Sequence, residues 1–402
     1  MEYTYEYFAK SAEYVRERLN FQPEIGIILG SSLGPFAAQV ENPVVIPYED
    51  IPHFLRSTVA THAGKLICGT IGGKGVVCMS GRFHSYEGYD FPQLTAPIRL
   101  FKLLGCRAVI LTNAAGERAL NDHYDTTGWK FQIVKTGDSV SIGKRTLTFV
   151  TTPMLHWPDS MVTYVAEDKL LLPNDGFGQH FCTDSIFVKD QPFDVVCEEA
   201  KKYYANILFP FGAQAEKALS GLDGLEIDMI APSHGCIWSG EKEVSTILKL
   251  YDEWASGKNK GKAVIVYDTM WGATATLANA VMEVFQDAGI PVVKRCLTET
   301  HISEVIVDFL DARYVCIGTP TLNNEMFPRV AAFTTYMKGL KPKNKKAFAF
   351  GSYGWKPGVV NQIQKIYEEL GWETIPPFEE KYTPKSDVVA KLKEHVKTMI
   401  EK

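Results

Sequence analysis

From Lys262 to the end of the chain, short apolar strands and amphipathic helices alternate five times. AVIVYD leads to ATLANAVMEVFQDAG, PVVKRCL to ISEVIVDFLD, YVCIGT to FPRVAAFTTYMKGL, KAFAF to GVVNQIQKIYEELG, and ETIPP to SDVVAKLKEHVKTMI. Near-continuous apolar strands, each followed by a helix, predict a parallel sheet covered on both faces. In such a sheet ligands sit beyond the carboxyl ends of the strands, where the strand order reverses.

Upstream the pattern is less regular. Residues 24–116 alternate apolar strands (IGIILG, KLICGTIGG, KGVVCMSG, RAVILTN) with helical stretches such as PQLTAPIRLFKLLG, an α/β pattern. Residues 129–240 are richer in strand, and KFQIVKTGDSVSIGKRTLTFVTT predicts paired strands turning at Gly143-Lys144. A second extended region, MVTYVAEDKLLLPND, precedes a long helical stretch over 192–222 and a strand at DMIAPSH. The polar, basic, glycine-bearing segment ASGKNKGK at 255–262 has the composition of a linker and predicts the last domain boundary.

Three loops of the C-terminal third carry candidate chemistry. The first, Thr269-Met270-Trp271-Gly272-Ala273-Thr274, offers hydroxyls and runs into a helix N-terminus, whose free N–H groups favour a phosphate. It lacks the G-K-[ST] of a nucleoside triphosphate site. The second contains Thr319, Pro320, Thr321 and Asn323, and the third contains Ser352, Tyr353, Gly354 and Trp355. These small, amide and aromatic residues suit a flat ring, with Trp271, Tyr353 and Trp355 placed to flank it. Each loop alone reads better as an ordinary strand-to-helix turn; three in succession favour a flavin.

Composition narrows the function classes without choosing among them. The chain of 402 residues has room for two or three domains, and its 46% hydrophobic content, 22% charged content and net charge of -5 are those of an ordinary globular protein. No basic excess invites nucleic acid or a membrane surface. The eight cysteines are scattered with no C-x-x-C pair, which predicts reduced thiols in a cytoplasm. The opening MEYTYEYFAKSAEYVRERL lacks the apolar stretch of a signal peptide.

YDTMWGATATLA and GTPTLNNEMFP make the last third resemble the flavodoxin-like domain of flavodiiron proteins, the A-type flavoproteins. The resemblance extends upstream to about Ala119. It implies bound FMN, a rubredoxin-like electron donor, dioxygen or nitric oxide as acceptor, and a head-to-tail homodimer. It also implies a metallo-β-lactamase-like domain with a diiron centre, whose histidine, bridging aspartate and second histidine match His156, Asp175 and His234. His180 lies near that site without an assigned role. The family's remaining iron ligands come from an H-x-E-x-D-H motif, which this sequence does not contain.

Residues 1–116 instead resemble the N-terminal half of a trimeric purine nucleoside phosphorylase, through LGSSLG, THAG, GRFHSYEGY and TNAAG. That resemblance implies a phosphate half-site of Ser31, His62, Arg82, His84 and the backbone at Ala114, with Tyr86 near a sugar. The segments that would grip a purine do not follow.

The expected organisation is therefore a chimera: a partial nucleoside-phosphorylase-like α/β block at 1–116, a partial metallo-β-lactamase-like block at 117–258, and a flavodoxin-like doubly wound sheet at 259–402. A half-domain leaves a sheet edge and an apolar face uncovered, so residues 1–240 are expected to pack in an altered way or to be poorly stable. Three functions follow: a flavodiiron-type oxidoreductase with an incomplete diiron site, an FMN electron carrier without catalysis, or a nucleoside phosphorylase.

Overall fold

A computed structural model describes residues 4–29, 34–56, 64–81, 83, 87–106, 110–183 and 185–400. The chain divides into two compact units, one of residues 1–111 with 124–132 and the other of 112–123 with 133–402. The helix Ala114–His123, which begins inside the phosphorylase-like motif TNAAG, thus belongs to the second unit.

In the first unit, strand Ile25–Leu29 pairs in parallel with Lys74–Ser80, which runs antiparallel to Lys65–Ile71, which runs antiparallel to Glu41–Pro47. The last of these strands was not evident in the sequence pattern. Helices Tyr5–Arg16 and Ala96–Leu104 contribute Ala12, Val15, Leu100 and Leu104 to the core beneath this sheet. Ile25 and Ile28 on the outermost strand remain 44% and 40% exposed, an apolar edge of the kind a truncated sheet leaves.

In the second unit, a six-stranded sheet is ordered Trp238–Ser239, Met229–Ile230, Leu170–Leu172, Met161–Val165, Thr146–Thr151, Ser139–Ser141. The last two strands form the expected hairpin, with Gly143 at φ +96° in its turn and the Ile142 N–H donating to the Arg145 carbonyl at 2.9 Å. Helix Phe193–Tyr203 and the turn Tyr204–Leu208 that follows it link this part to the short helices beside the C-terminal sheet: Lys201 pairs with Asp311 at 2.5 Å, and Asn206 Nδ2 donates to the Ser303 carbonyl at 3.0 Å. One apolar cluster runs through both, from Leu171 and Trp238 to Val264 and Phe333.

The C-terminal sheet is parallel along its main path: Val292–Cys296, Lys262–Tyr267, Ala312–Leu322, Lys346–Tyr353, then Glu373–Thr374. In chain order this is second, first, third, fourth, fifth, the doubly wound order whose ligands lie between the first and third strands. The expected fifth strand at ETIPP is split. Glu373–Thr374 pairs with the start of the fourth strand, and Phe378–Lys381 rejoins at its end, level with the ligand loops. The stretch ISEVIVDFLD likewise forms two short helices, Ile302–Val305 and Asp308–Asp311. Among the described residues no helix is long and apolar enough to cross a membrane.

Candidate functional site

A cavity of about 530 Å³ opens at the carboxyl ends of the first, third and fourth strands of the C-terminal sheet. Met270, Trp271 and Ala273 wall it from the first loop, Pro320, Thr321 and Asn323 from the second, and Ser352, Tyr353, Gly354 and Trp355 from the third. Of the fourteen residues expected from sequence, these ten face the cavity; Thr269, Gly272, Thr274 and Thr319 hold the loops behind it.

Those four positions act through hydrogen bonds. Gly272 adopts φ +85° before helix Ala273–Asp287 and donates its N–H to Thr269 Oγ1 at 3.1 Å, a left-handed conformation that favours glycine. No side chain caps that helix, so its first-turn N–H groups face outward as an anion site. Thr274 Oγ1 and Ser352 Oγ share a buried bond of 2.9 Å. Thr319, almost fully buried, accepts the Phe327 N–H at 3.0 Å and donates to the Pro320 carbonyl at 3.0 Å. Asn323 and Asn324, at φ +53° and +65°, form a tight turn into the short strand Glu325–Met326, and asparagine tolerates that region better than most residues.

Three observations fit FMN. Thr321 Oγ1, on the cavity wall, is buried without a hydrogen-bond partner, an orphan that a polar ligand group would satisfy. The uncapped helix N-terminus suits the phosphate. Trp271 and Trp355 are 90% and 89% exposed at the mouth, a large apolar area left open to water and shaped to cover a flat ring.

The walls also include Leu322 and Asn324, which belong to the second loop, and Lys356, Tyr382 and Thr383, which the sequence pattern did not single out. Tyr382 and Thr383 follow strand Phe378–Lys381, and the Tyr382 N–H donates to the Tyr353 carbonyl at 2.8 Å. Their signal was the Tyr-Thr-Pro turn after FEEK, hidden because the fifth strand was expected at ETIPP.

Asp268, just past the first strand, is fully buried. Its Oδ1 accepts the Thr269 N–H and the Thr298 hydroxyl, each at 2.8 Å, and Arg329 approaches Oδ2 at 3.5 Å. The carboxylate thereby fixes the start of the first loop.

The second candidate cluster lies beside the six-stranded sheet, where His156, Asp175 and His234 follow strands Thr146–Thr151, Leu170–Leu172 and Met229–Ile230. The three converge. His156 Nε2 lies 3.2 Å from Asp175 Oδ2, and His234 Nε2 lies 3.4 Å from Asp175 Oδ1. The ring of His180 lies 5.7 Å from that of His234 and 4.8 Å from that of Tyr203. Burial, and then His234, hold His180 below the usual histidine range. Burial, and then the Asp175 carboxylate, raise the Tyr203 phenol.

With one imidazole on each carboxylate oxygen, Asp175 has the disposition of a bridging ligand. Two metal ions there would each receive only one nitrogen and one oxygen, short of a closed coordination sphere. Among the described residues no group of three or more His, Cys, Asp or Glu is arranged to hold a metal ion. The described residues do not fit a complete diiron centre.

Of the phosphate half-site, Ser31, His62, Arg82 and His84, with Tyr86, lie outside the described residues. Ala114 opens helix Ala114–His123, and Asn113 Oδ1 already accepts the N–H groups of Ala115 and Gly116 at 3.0 Å.

Residues 265–395 match the flavodoxin family, 92–235 an ODP family beta lactamase and 24–125 the phosphorylase superfamily. A nitric oxide reductase of Moorella thermoacetica is 47% identical over 253 residues, 62% of each chain. Two solved structures are similar. A rubredoxin oxygen:oxidoreductase from Desulfovibrio gigas shares 34% identity at a TM-score of 0.72, over 78% of both chains. A flavodiiron protein from Giardia intestinalis shares 32% at 0.69, over 75% of this chain and 76% of its own. The chain spans 67%, 62% and 58% of the length of three curated relatives it matches.

Proposed function

This chain belongs to the flavodiiron protein family, and from that premise we propose that it is an FMN-binding oxidoreductase passing electrons from a rubredoxin-like donor to dioxygen or nitric oxide. The observation that carries the reading is the cavity where the first, third and fourth strands end, with its orphaned Thr321 hydroxyl and open tryptophans. Bound FMN supplies the electron chemistry, while the protein supplies binding and orientation.

The first-turn N–H groups of helix Ala273–Asp287 would receive the phosphate. Trp271, Tyr353, Trp355 and Tyr382 flank the ring. The names of the Moorella and Desulfovibrio relatives support the two acceptors and the donor. The exposed tryptophans at the mouth support a homodimer that covers them, and eight unpaired thiols support a cytoplasmic location.

We propose 1–116, 117–258 and 259–402 as the domains. The phosphorylase and lactamase matches overlap at residues 92–125, consistent with two truncated domains meeting there. We also propose His156, Asp175 and His234 as metal ligands, and assign no step to iron because their partners have no counterpart.

That shortfall favours a second reading, an FMN electron carrier that reduces no gas. A nucleoside phosphorylase ranks third, resting on the match at 24–125. Purified protein assayed for FMN, for iron, for gas consumption with reduced rubredoxin, and for phosphate-dependent inosine cleavage separates the three. FMN with gas consumption is the expected result; FMN that is reduced without gas consumption selects the carrier, and inosine cleavage without flavin selects the phosphorylase.

A further inference from the structure

A second, smaller cavity of about 20 Å³ lies in the second unit. Its half-buried edge is Val150, Ala218 and Leu219, and its inner wall is the fully buried Val162, Phe177 and Tyr251. The two loops that carry candidate ligands contribute to it: Thr152 and Leu155 precede His156, while Pro173, Gly176 and Phe177 bracket Asp175.

The space exceeds the roughly 10–15 Å³ that one water-sized guest requires, yet a buried water also needs two to four polar partners. The wall supplies at most two, the Thr152 hydroxyl and the proton of the Tyr251 hydroxyl. Tyr251 accepts the Phe177 N–H at 2.7 Å while its ring packs on Phe177 at 4.4 Å between centroids. The Pro173 carbonyl accepts the Gly176 N–H at 3.3 Å. Apart from the Thr152 hydroxyl the remaining lining is aliphatic, and apolar cavities of this kind stay dry and take up xenon or small apolar guests.

We propose that this cavity binds one molecule of a small apolar diatomic gas. Resting on the reading that the chain reduces dioxygen or nitric oxide, it holds that substrate beside the loops of His156 and Asp175. A gas molecule gains by leaving water for an apolar wall, and the gradient from half-buried Leu219 to buried Phe177 provides an entrance and an end.

Diffraction from crystals of the FMN-loaded protein under xenon pressure reads the cavity independently of any activity. Xenon density among Val150, Leu155 and Phe177 is expected, and its loss in Ala218→Leu, which fills the space. Absence of xenon from the wild-type cavity overturns the proposal whether or not the variant folds.

The gas KM reads the substrate role. Ala218→Leu is expected to raise it several-fold with kcat and FMN content unchanged, and an unaltered KM beside bound xenon overturns that role. A protein that reduces neither gas but still takes up xenon refutes the proposed function alone.

Discussion

Thr274 Oγ1 and Ser352 Oγ lie 2.9 Å apart in a buried hydrogen bond between residues 78 positions apart, tying the loop after the first strand to the end of the fourth. Ser352→Ala strands the Thr274 hydroxyl away from water, at a cost of about 1–3 kcal/mol. FMN affinity is expected to fall roughly ten-fold, read by titrating the quenching of flavin fluorescence. An unchanged Kd removes the bond from the binding site.

Trp271 is 90% exposed, so Trp271→Ala should leave the stability of the flavin-free protein within about 0.5 kcal/mol of wild type. FMN binding should weaken by about 0.5–1.5 kcal/mol through lost ring stacking. Denaturant melts with and without FMN report both numbers, and equal shifts in the two would mean that the indole does not touch the flavin.

Gly351 has no room for a side chain, because a Cβ there would lie 2.4 Å from the Thr319 carbonyl oxygen and 2.8 Å from Val360 Cγ1. Gly351→Ala must part the third and fourth strands beside the cavity. A loss of about 1–3 kcal/mol is expected, together with weaker FMN binding, measured by thermal unfolding and flavin retention after gel filtration.

Lys345 is buried, with Nζ donating to the carbonyls of Phe309 at 2.7 Å and Ala312 at 2.5 Å. Burial pulls its pKa down to about 7, against the opposing pull of Asp311. The unfolded chain binds this proton more tightly than the folded one, so the cost to the fold is absent above the ordinary lysine pKa of about 10.4. It grows as pH falls toward 7 and is constant below. Lys345→Met loses two hydrogen bonds but cannot charge, so its stability relative to wild type should improve from pH 10 to pH 7 in urea melts at each pH. A difference independent of pH would show that Lys345 titrates normally.

Asp175→Ala removes the carboxylate that both His156 and His234 approach, at 3.2 and 3.4 Å. Wild-type protein is expected to carry less iron than a diiron centre, and the variant to lose what remains with FMN content unchanged. Metal analysis by plasma mass spectrometry checks both, and a full complement of iron in wild type would show that other residues complete the site.

Much of the cavity lining was legible because doubly wound sheets put ligands at strand ends, and strand ends are readable from apolar runs followed by helix-start residues. The exceptions have physical causes. Thr319 and Thr274 stand in the loops expected to hold the ligand, and the structure shows their hydroxyls bonded to backbone groups and to Ser352. Tyr382 was missed because Pro376 and Pro377 break the fifth strand, and proline disrupts the ladder that periodicity relies on.

Local pattern alone thus determined the parallel C-terminal sheet, the Gly143 hairpin, the three cavity loops and the lack of an H-x-E-x-D-H motif, since each depends on neighbours in sequence. Only the tertiary structure decided that Asp175 stands between two imidazoles, that Tyr382 closes onto Tyr353, and that helix Ala114–His123 joins the second unit. Those outcomes depend on side chains and backbone groups brought together across long separations in the chain, and hydrophobic periodicity carries no information about which distant partners will meet.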